Sequence, residues 1–251
     1  MKTKEWINFK TYLLTFEITK NLELPYYHGS KITSLLSQIF KKHPLTDNVP
    51  SPVIPYPLEK GRLFRKGEFY PLELTVLGND NTPLLNITNW FLSGKKDVKS
   101  GDFASFLKLE HIKDITPAYE ENETTGLIHI RFLSPLRFRK KNKTKGKAFF
   151  SPDYFDPEYF LELFYNRLVL LSGFYGSALP ESRRIPRCKL ISMDFSWIDD
   201  RFGKTLGGIV GEVKFSMKPE KFWAKALWLG QYVHAGNNTN FGFGKYLLLN
   251  S

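Results

Sequence analysis

A glycine-rich segment near the end of the sequence, residues 234–246, has residue types that could hold a phosphate. Gly236, Gly242 and Gly244 surround a run of amide and hydroxyl side chains at 237–240. Glycine can adopt a positive φ and lets the backbone approach a ligand, so such a segment can present N–H groups to phosphate oxygens. The spacing matches neither GxGxxG nor GxxxxGK(S/T), which argues against a nucleotide cofactor. A tight hairpin between two elements is the alternative interpretation.

The positive charge of the chain is concentrated in its second half. Residues 1–125 carry 16 Lys and Arg against 15 Asp and Glu, whereas residues 126–251 carry 20 against 10. A basic half of this kind indicates a polyanionic partner, either nucleic acid or an anionic membrane. No strongly amphipathic helix rich in Lys and Arg supports the membrane alternative.

The composition also limits the class of protein. The 251 residues are 42% hydrophobic and 24% charged, which predicts a folded chain with one large domain or two smaller ones. Cys188 is the single cysteine, so neither an internal disulfide framework nor a cysteine-based zinc site is expected. No apolar run reaches the ~18 residues of a membrane span, and no signal-peptide core is visible. We therefore expect a soluble cytoplasmic protein that is not bound to a membrane.

The first half of the chain predicts a strand, a helix, a strand, a helix and a strand, and leaves any further strand unresolved. Apolar and polar residues alternate over residues 8–19, which is typical of a half-buried strand. Ser30 is the predicted N-cap of a helix over residues 31–41. A proline-rich connection, 50–57, leads to a strand at 69–77; the later elements are a helix at 83–92 and a strand at 103–115.

The second half predicts the same plan. Its elements are a strand at 127–139, a helix from Asp156 to about residue 174, strands at 190–198 and 208–217, a helix at 219–232 and a strand at 246–249. The order strand–helix–strand–strand–helix–strand is that of a ferredoxin-like unit. We predict an α+β fold with antiparallel sheets, made of tandem ferredoxin-like domains at residues 1–125 and 126–251.

Several short motifs resemble one known family, in order along the chain. They are Leu24-Pro-Tyr-Tyr-His-Gly-Ser30, Phe132-Leu-Ser-Pro-Leu-Arg-Phe138, Gly207-Gly-Ile-Val-Gly211 and the glycine-rich segment with Phe241-Gly-Phe-Gly-Lys245. Together they resemble the repeat-cleaving endoribonucleases of CRISPR systems, in the RAMP superfamily. The resemblance implies two RRM-like domains with a cleft between them. It also implies metal-independent cutting of repeat RNA that leaves a 2′,3′-cyclic phosphate.

This chemistry needs a base for the 2′-OH, an acid for the 5′ leaving oxygen and a cation near the phosphate. A histidine suits both proton roles, and a lysine or arginine can stabilise the developing charge. His28, in the turn before the first helix, and His43, which follows Lys42 at the helix end, are the catalytic candidates together with Lys42. His28 could instead pack within its turn, and His43 could instead interact with the helix dipole.

The RNA-binding candidates lie in the glycine-rich segment and in two basic clusters, of which the first is the stretch 137–147. The second cluster surrounds Pro186 and consists of Arg183, Arg184, Arg187 and Lys189. The stretch from 137 to 147 has seven basic residues and no acid; as a mobile loop it could become ordered on an RNA backbone. His234 could anchor the glycine-rich segment or contact RNA. The full set is Arg137, Arg139, Lys140, Lys141, Lys143, Lys145, Lys147, Arg183, Arg184, Arg187, His234, Gly236, Gly242, Gly244 and Lys245.

The sequence supports two functions that share one partner. The first is an endoribonuclease that binds and cleaves CRISPR repeat RNA, as a monomer or homodimer, with no metal and no cofactor. The alternative is a non-catalytic RAMP-fold subunit that binds guide RNA in a CRISPR effector complex. Both predict an RNA partner, and the second adds the other subunits of such a complex.

Overall fold

The computed structural model describes residues 6–40, 50–94, 98–99, 101–120, 126–139, 150–177, 179, 183–202 and 204–249. Within these residues the chain forms ten strands, four α-helices and two short 3-10 helices. The strands build two four-stranded antiparallel sheets, one in each half of the chain, and a small two-stranded ribbon. No helix in the described ranges is long and apolar enough to span a membrane.

The first sheet is built around a strand whose pattern alternates. β1 (Phe9–Ile18) buries Tyr12, Leu14, Phe16 and Ile18 on one face. Since successive side chains of a strand point to opposite faces, this single stripe is enough to fix the face that carries the core. β1 pairs with β5 (Phe69–Leu77) and with β6 (Leu107–Asp114), both antiparallel.

Two helices cover that face of the first sheet. They are α1 (Gly29–Ile39) and α2 (Thr82–Leu92). The ribbon of β2 (Leu22–Glu23) and β4 (Leu63–Phe64) closes one end, and β3 (Val53–Pro57) pairs with β5 at the edge. β3 is the strand that the sequence left unresolved. It contains Pro55 and Pro57, which an edge strand tolerates because one of its sides makes no ladder hydrogen bonds.

The second sheet has longer strands. β7 (Leu127–Leu136) lies between β9 (Lys204–Met217) and β10 (Tyr246–Leu248), and β8 (Cys188–Phe202) pairs with β9. α3 (Pro157–Tyr175) and α4 (Lys221–Val233) pack against one face, where the core is rich in phenylalanine. Asp156 caps α3 by accepting a hydrogen bond from the Tyr159 N–H at 3.0 Å, which satisfies one of the free donors of the first turn.

The two halves share one topology. The strand order is β3-β5-β1-β6 in the first sheet and β10-β7-β9-β8 in the second. When the four strands of each sheet are numbered in chain order, the first sheet has the order second-third-first-fourth and the second sheet has the reverse of that order. The predicted α+β fold of tandem ferredoxin-like units with antiparallel sheets is confirmed.

Two local predictions were wrong. α1 begins at Gly29 with His28 at the N-cap position, and Ser30 does not cap it: its hydroxyl oxygen is buried without a hydrogen-bond partner among the described residues. The strand predicted from residue 103 begins at Leu107, because Phe103–Phe106 form a 3-10 turn that buries Phe103 and Ala104.

Candidate nucleic-acid interface

The glycine-rich segment is a compact turn held by its own backbone. Ala235 N–H donates to the Gly244 carbonyl at 3.0 Å, and Phe241 and Gly242 donate to the carbonyls of Asn238 and Thr239. Gly244 has a φ of +74°, and a Cβ there would lie 1.6 Å from the Ala235 carbonyl oxygen. Only glycine fits both the conformation and the space. The backbone hydrogen bonds and the glycine requirement therefore give this turn a defined conformation.

One side of this turn packs on the start of α1. The Tyr27 hydroxyl donates to the Phe241 carbonyl at 2.7 Å, and the Thr33 hydroxyl donates to the Asn240 carbonyl at 2.7 Å. Gly29 makes the contact possible, since a Cβ at this position would lie 1.8 Å from the Phe241 carbonyl oxygen. The glycine-rich segment thus connects the C-terminal half to α1, the helix that precedes Lys42 and His43 in the sequence.

The other side of the turn packs on the end of β7. Gly244 N–H donates to the Pro135 carbonyl, and Asn237 N–H donates to the Arg137 carbonyl, each at 3.0 Å. Lys245 N–H donates to the Ser134 hydroxyl at 2.8 Å. Asn237 is exposed, so the turn presents an amide side chain outward while its backbone is held between the two halves.

Lys245 lies inside the interface between the halves. The residue is 3% exposed, and its ammonium group forms an ion pair with Glu73, which lies on β5 of the first sheet. Burial lowers the pKa of Lys245, and the Glu73 carboxylate partly offsets that effect. Tyr56 and Tyr232 flank the ammonium, with ring centroids at 5.5 and 5.3 Å. In this geometry the charge is directed at Glu73 and away from solvent.

His234 is also enclosed. It has a φ of +58°, which is unusual for a residue other than glycine, and its Nδ1 lies 3.1 Å from the Phe243 carbonyl oxygen. The Arg167 guanidinium donates to the carbonyl oxygens of Val233 and His234. Burial, with Lys245 and Arg167 nearby, lowers the pKa of His234 well below its usual value. A neutral, enclosed imidazole fits the anchoring role better than direct contact with RNA.

His28 has both ring nitrogens in contact with the protein. Nε2 lies 2.6 Å from the Tyr70 hydroxyl and Nδ1 lies 3.2 Å from the Pro25 carbonyl oxygen. The residue is fully buried, and burial lowers its pKa to about 4. It is therefore neutral at pH 7 and joins the turn before α1 to the core of the first sheet. The structure places it beside the interface without presenting its ring nitrogens to a ligand.

The other catalytic candidates, Lys42 and His43, lie outside the described residues. The same is true of five candidates in the basic stretch, Lys140, Lys141, Lys143, Lys145 and Lys147. His129 lies in β7, with Nε2 2.7 Å from a Glu212 oxygen. Among the described residues no cluster of His, Cys, Asp and Glu could hold a metal ion.

The two basic clusters lie at opposite ends of the second sheet. Arg137 and Arg139 follow the end of β7, beside the glycine-rich segment, whereas Arg184 and Arg187 are exposed just before β8 begins. Arg183 pairs with Glu220 at 3.2 Å, and its guanidinium lies 3.7 Å from the Phe222 ring centroid. β7 has ten residues, so the two ends are about 30 Å apart. The structure brings Arg137, Arg139 and the glycine-rich segment together, and it separates them from the Arg183 cluster.

Comparisons with known proteins agree with this fold. Residues 130–246, which include most of β7, both helices of the second half and the glycine-rich segment, match the family model of the CRISPR-associated endoribonuclease Cas6. No curated protein sequence matches the chain.

Solved structures extend the similarity to the whole chain. A Cas6 product complex matches with a TM-score of 0.65 and 17% identity, over 96% of this chain and 99% of the other. A chain of a partial Cas6-RT-Cas1–Cas2 complex matches with a TM-score of 0.72 and 19% identity, over 98% of this chain and 46% of the other. This chain therefore spans less than half of that larger protein. A structure described as a RAMP protein binding different RNA substrates matches with a TM-score of 0.57 and 15% identity.

The second half thus matches the Cas6 family in sequence, and the whole chain has the fold of solved Cas6 proteins. The resemblance to the CRISPR repeat-processing endoribonucleases is confirmed by this match.

Proposed function

We propose that this protein is a metal-independent endoribonuclease that cleaves CRISPR repeat RNA and leaves a 2′,3′-cyclic phosphate. The observation that carries the proposal is the match of residues 130–246 to the Cas6 family on a chain whose fold follows Cas6 over nearly its full length. The packing of the glycine-rich segment on α1 supports the proposal. Through this contact the second half of the chain, which is the more basic half, lies beside the helix that precedes Lys42 and His43 in the sequence.

The reaction needs no water and no external nucleophile. A base removes the proton of the 2′-OH, the 2′ oxygen attacks the adjacent phosphorus, and the bond to the 5′ oxygen breaks as an acid protonates that oxygen. In the product, the 2′ and 3′ oxygens are both bonded to the phosphorus, which forms the cyclic phosphate. A cation beside the phosphate stabilises the charge that develops on its free oxygens.

We assign proton transfer to His43 and the cation beside the phosphate to Lys42, and we assign a positioning role to His28. His28 is neutral at pH 7 and both of its ring nitrogens face protein atoms, so it cannot donate a proton to a leaving group without leaving its site. Its contacts fix the turn that carries Tyr27 and Gly29, and these two residues hold the glycine-rich segment. His28 therefore supports the shape of the interface.

RNA binding is assigned to the exposed surface around the end of β7. Arg137 and Arg139 lie there beside Asn237, and the sequence continues with the basic residues from Lys140 to Lys147. Such a surface binds RNA mainly through phosphates, so the affinity should fall steeply with salt. Lys245 contributes indirectly, by joining the halves through Glu73.

The test compares two histidine variants in cleavage and in binding. His43→Ala should abolish cutting of a CRISPR repeat RNA in EDTA and leave its affinity nearly unchanged. His28→Gln should lower thermal stability and retain cutting at temperatures where it remains folded. Wild-type cutting by His43→Ala, or loss of cutting by a folded His28→Gln variant, would show that the roles are assigned wrongly.

The second candidate is a subunit that binds guide RNA without cutting it. The enclosed position of His28 favours it, since one of the two histidine candidates then has a structural role. The fold similarity to a RAMP protein described as binding different RNA substrates is compatible with it. Tight binding of repeat RNA, with no product in any buffer, would establish this alternative.

A further inference from the structure

An open cavity of about 330 Å³ lies between the two halves of the chain, on the side away from the two helices of the second sheet. The first half contributes Tyr26 and the residues that follow β3, including Lys60. The second half contributes the solvent-facing row of its sheet. This volume is at the small end of the ~300–1,000 Å³ range of small-molecule sites, so it suits one nucleotide and excludes a duplex.

The wall from the first half offers an exposed aromatic ring. Tyr26 is 50% exposed, and the Lys60 ammonium lies 5.1 Å from its ring centroid. The hydroxyl of the next residue, Tyr27, donates a hydrogen bond to the Phe241 carbonyl of the glycine-rich segment, so the cavity adjoins the proposed RNA surface. Unpaired bases stack on rings of this kind.

The wall from the second half has an unusual row of charges. Arg131, Glu212 and Asp194 are direct neighbours across β7, β9 and β8. Both oxygens of Glu212 are engaged, one by Arg131 at 2.6 Å and one by His129 at 2.7 Å. The carboxylate of Asp194 has no hydrogen bond or ion pair with any described residue, and the residue is exposed. Two carboxylates directly opposite each other destabilise a sheet, and a serine at position 194 would avoid that cost.

The charge balance of this cavity differs from that of a phosphate site. Its lining has the acids Glu59, Asp194 and Glu212 against the bases Lys60 and Arg131. A lining with net negative charge does not attract a backbone phosphate, but its carboxylates can accept hydrogen bonds from N–H groups on a base edge. Phosphate contacts position a nucleic acid, and base-edge contacts specify its sequence.

We propose that this cavity reads one unpaired guanine of the RNA substrate, with the base stacked on Tyr26 and its edge bonded to Asp194. Guanine has two adjacent N–H donors, N1–H and the N2 amino group, which match the two oxygens of one carboxylate. Adenine, cytosine and uracil have no such adjacent pair of donors. The inference rests on the proposed RNA-binding function and adds to it a base and the residue that selects it.

The experiment uses the full chain and a short single-stranded RNA pool of randomised sequence. RNA bound by the wild-type protein should be enriched in guanine at one position, and RNA bound by Asp194→Asn should lose that enrichment. An RNA of the enriched sequence is then compared with its inosine counterpart, which lacks only the N2 amino group. Inosine should weaken wild-type binding by about 5- to 150-fold and should leave Asp194→Asn nearly unaffected.

The direction of the effect separates base reading from simple electrostatics. Removal of a negative charge should tighten the binding of any RNA, as expected for the control Glu23→Gln, an exposed acid on β2. The proposal predicts weaker binding of the guanine RNA by Asp194→Asn. Tyr26→Ala should weaken binding with little dependence on the base. The control Phe69→Ala, at an exposed aromatic residue elsewhere on the surface, should not weaken it.

Each outcome has a distinct meaning. Equal guanine enrichment for wild type and Asp194→Asn, or no enrichment for either, overturns the guanine site. If the wild type nevertheless cleaves a CRISPR repeat RNA, the proposed function stands without it. If the wild type neither binds the pool nor cleaves repeat RNA, both proposals are overturned together.

Discussion

Replacement of Lys245 by methionine should destabilise the protein and should hardly alter its contacts with RNA. The side chains of Lys245 and Glu73 are 4% and 12% exposed, so the variant leaves a carboxylate buried without its cation. Removal of one partner of a buried pair costs about 3–5 kcal/mol. For a chain of this length, that loss lowers the melting temperature by roughly 10 °C.

A double variant separates the ion pair from the shape of the site. Burial lowers the pKa of Lys245, which shows that the desolvation of this ammonium opposes its charged form. Two apolar side chains of similar size can therefore replace such a pair at little cost. Glu73→Met combined with Lys245→Met should recover most of the stability that Lys245→Met loses, as measured by urea and thermal unfolding.

The RNA measurement decides between a structural and a binding role for Lys245. A lysine that neutralises a phosphate of single-stranded RNA changes the slope of log affinity against log salt by roughly 0.7 when it is removed. We expect an unchanged slope for Lys245→Met below its melting temperature. A variant with wild-type stability and a flatter slope would refute this reasoning and would establish Lys245 as a phosphate contact.

Three further predictions follow from the interface. The pKa of His28 is about 4 in the folded chain and about 6.5 when unfolded, so the unfolded chain binds more protons between these pH values. His28 should therefore lower the free energy of unfolding by roughly 3 kcal/mol from pH 7 to pH 4. Urea unfolding of His28→Gln should lack this part of the fall. Gly29→Ala should lower the stability measured by thermal unfolding by at least about 2 kcal/mol, because its Cβ would meet the Phe241 carbonyl. Gly173→Ala lies inside α3 with open space around it and should stabilise the chain by about 0.5–1 kcal/mol. Equal effects of the two variants would contradict the packing of Gly29 on Phe241. Arg184→Gln with Arg187→Gln should leave the salt slope of repeat-RNA binding unchanged if RNA stays at the other end of the sheet, and a flatter slope would show that it spans both ends.

Local patterns predicted the strands and helices that have clear periodicity. The alternation of β1 and the Asp156 start of α3 give direct signals, and both elements are where the sequence placed them. β3 was missed because prolines normally argue against a strand, and only the edge position of β3 makes them acceptable. The Ser30 cap was predicted from residue type, whereas α1 begins at Gly29, which packs closely on Phe241 of the glycine-rich segment.

The chemistry of the site depends on contacts that are distant in the sequence. His28 is enclosed because Tyr70 lies against it, and no signal near His28 indicates this contact. Lys245 pairs with Glu73, 172 positions away, so a residue that looked like an exposed cation is buried. The row of Arg131, Glu212 and Asp194 needs the register of three strands. Sequence patterns identified the segments of the interface, and tertiary packing determines which of their side chains reach solvent.

The most direct test of the central claim is the chemical identity of the product ends. The purified chain is incubated with CRISPR repeat RNA in EDTA, and the 3′ end of the upstream fragment is determined by mass spectrometry. We expect a single cut with a 2′,3′-cyclic phosphate, and we expect no product from His43→Ala. A product that forms only when a divalent metal is added, or that carries a 3′-hydroxyl, would contradict the proposed mechanism.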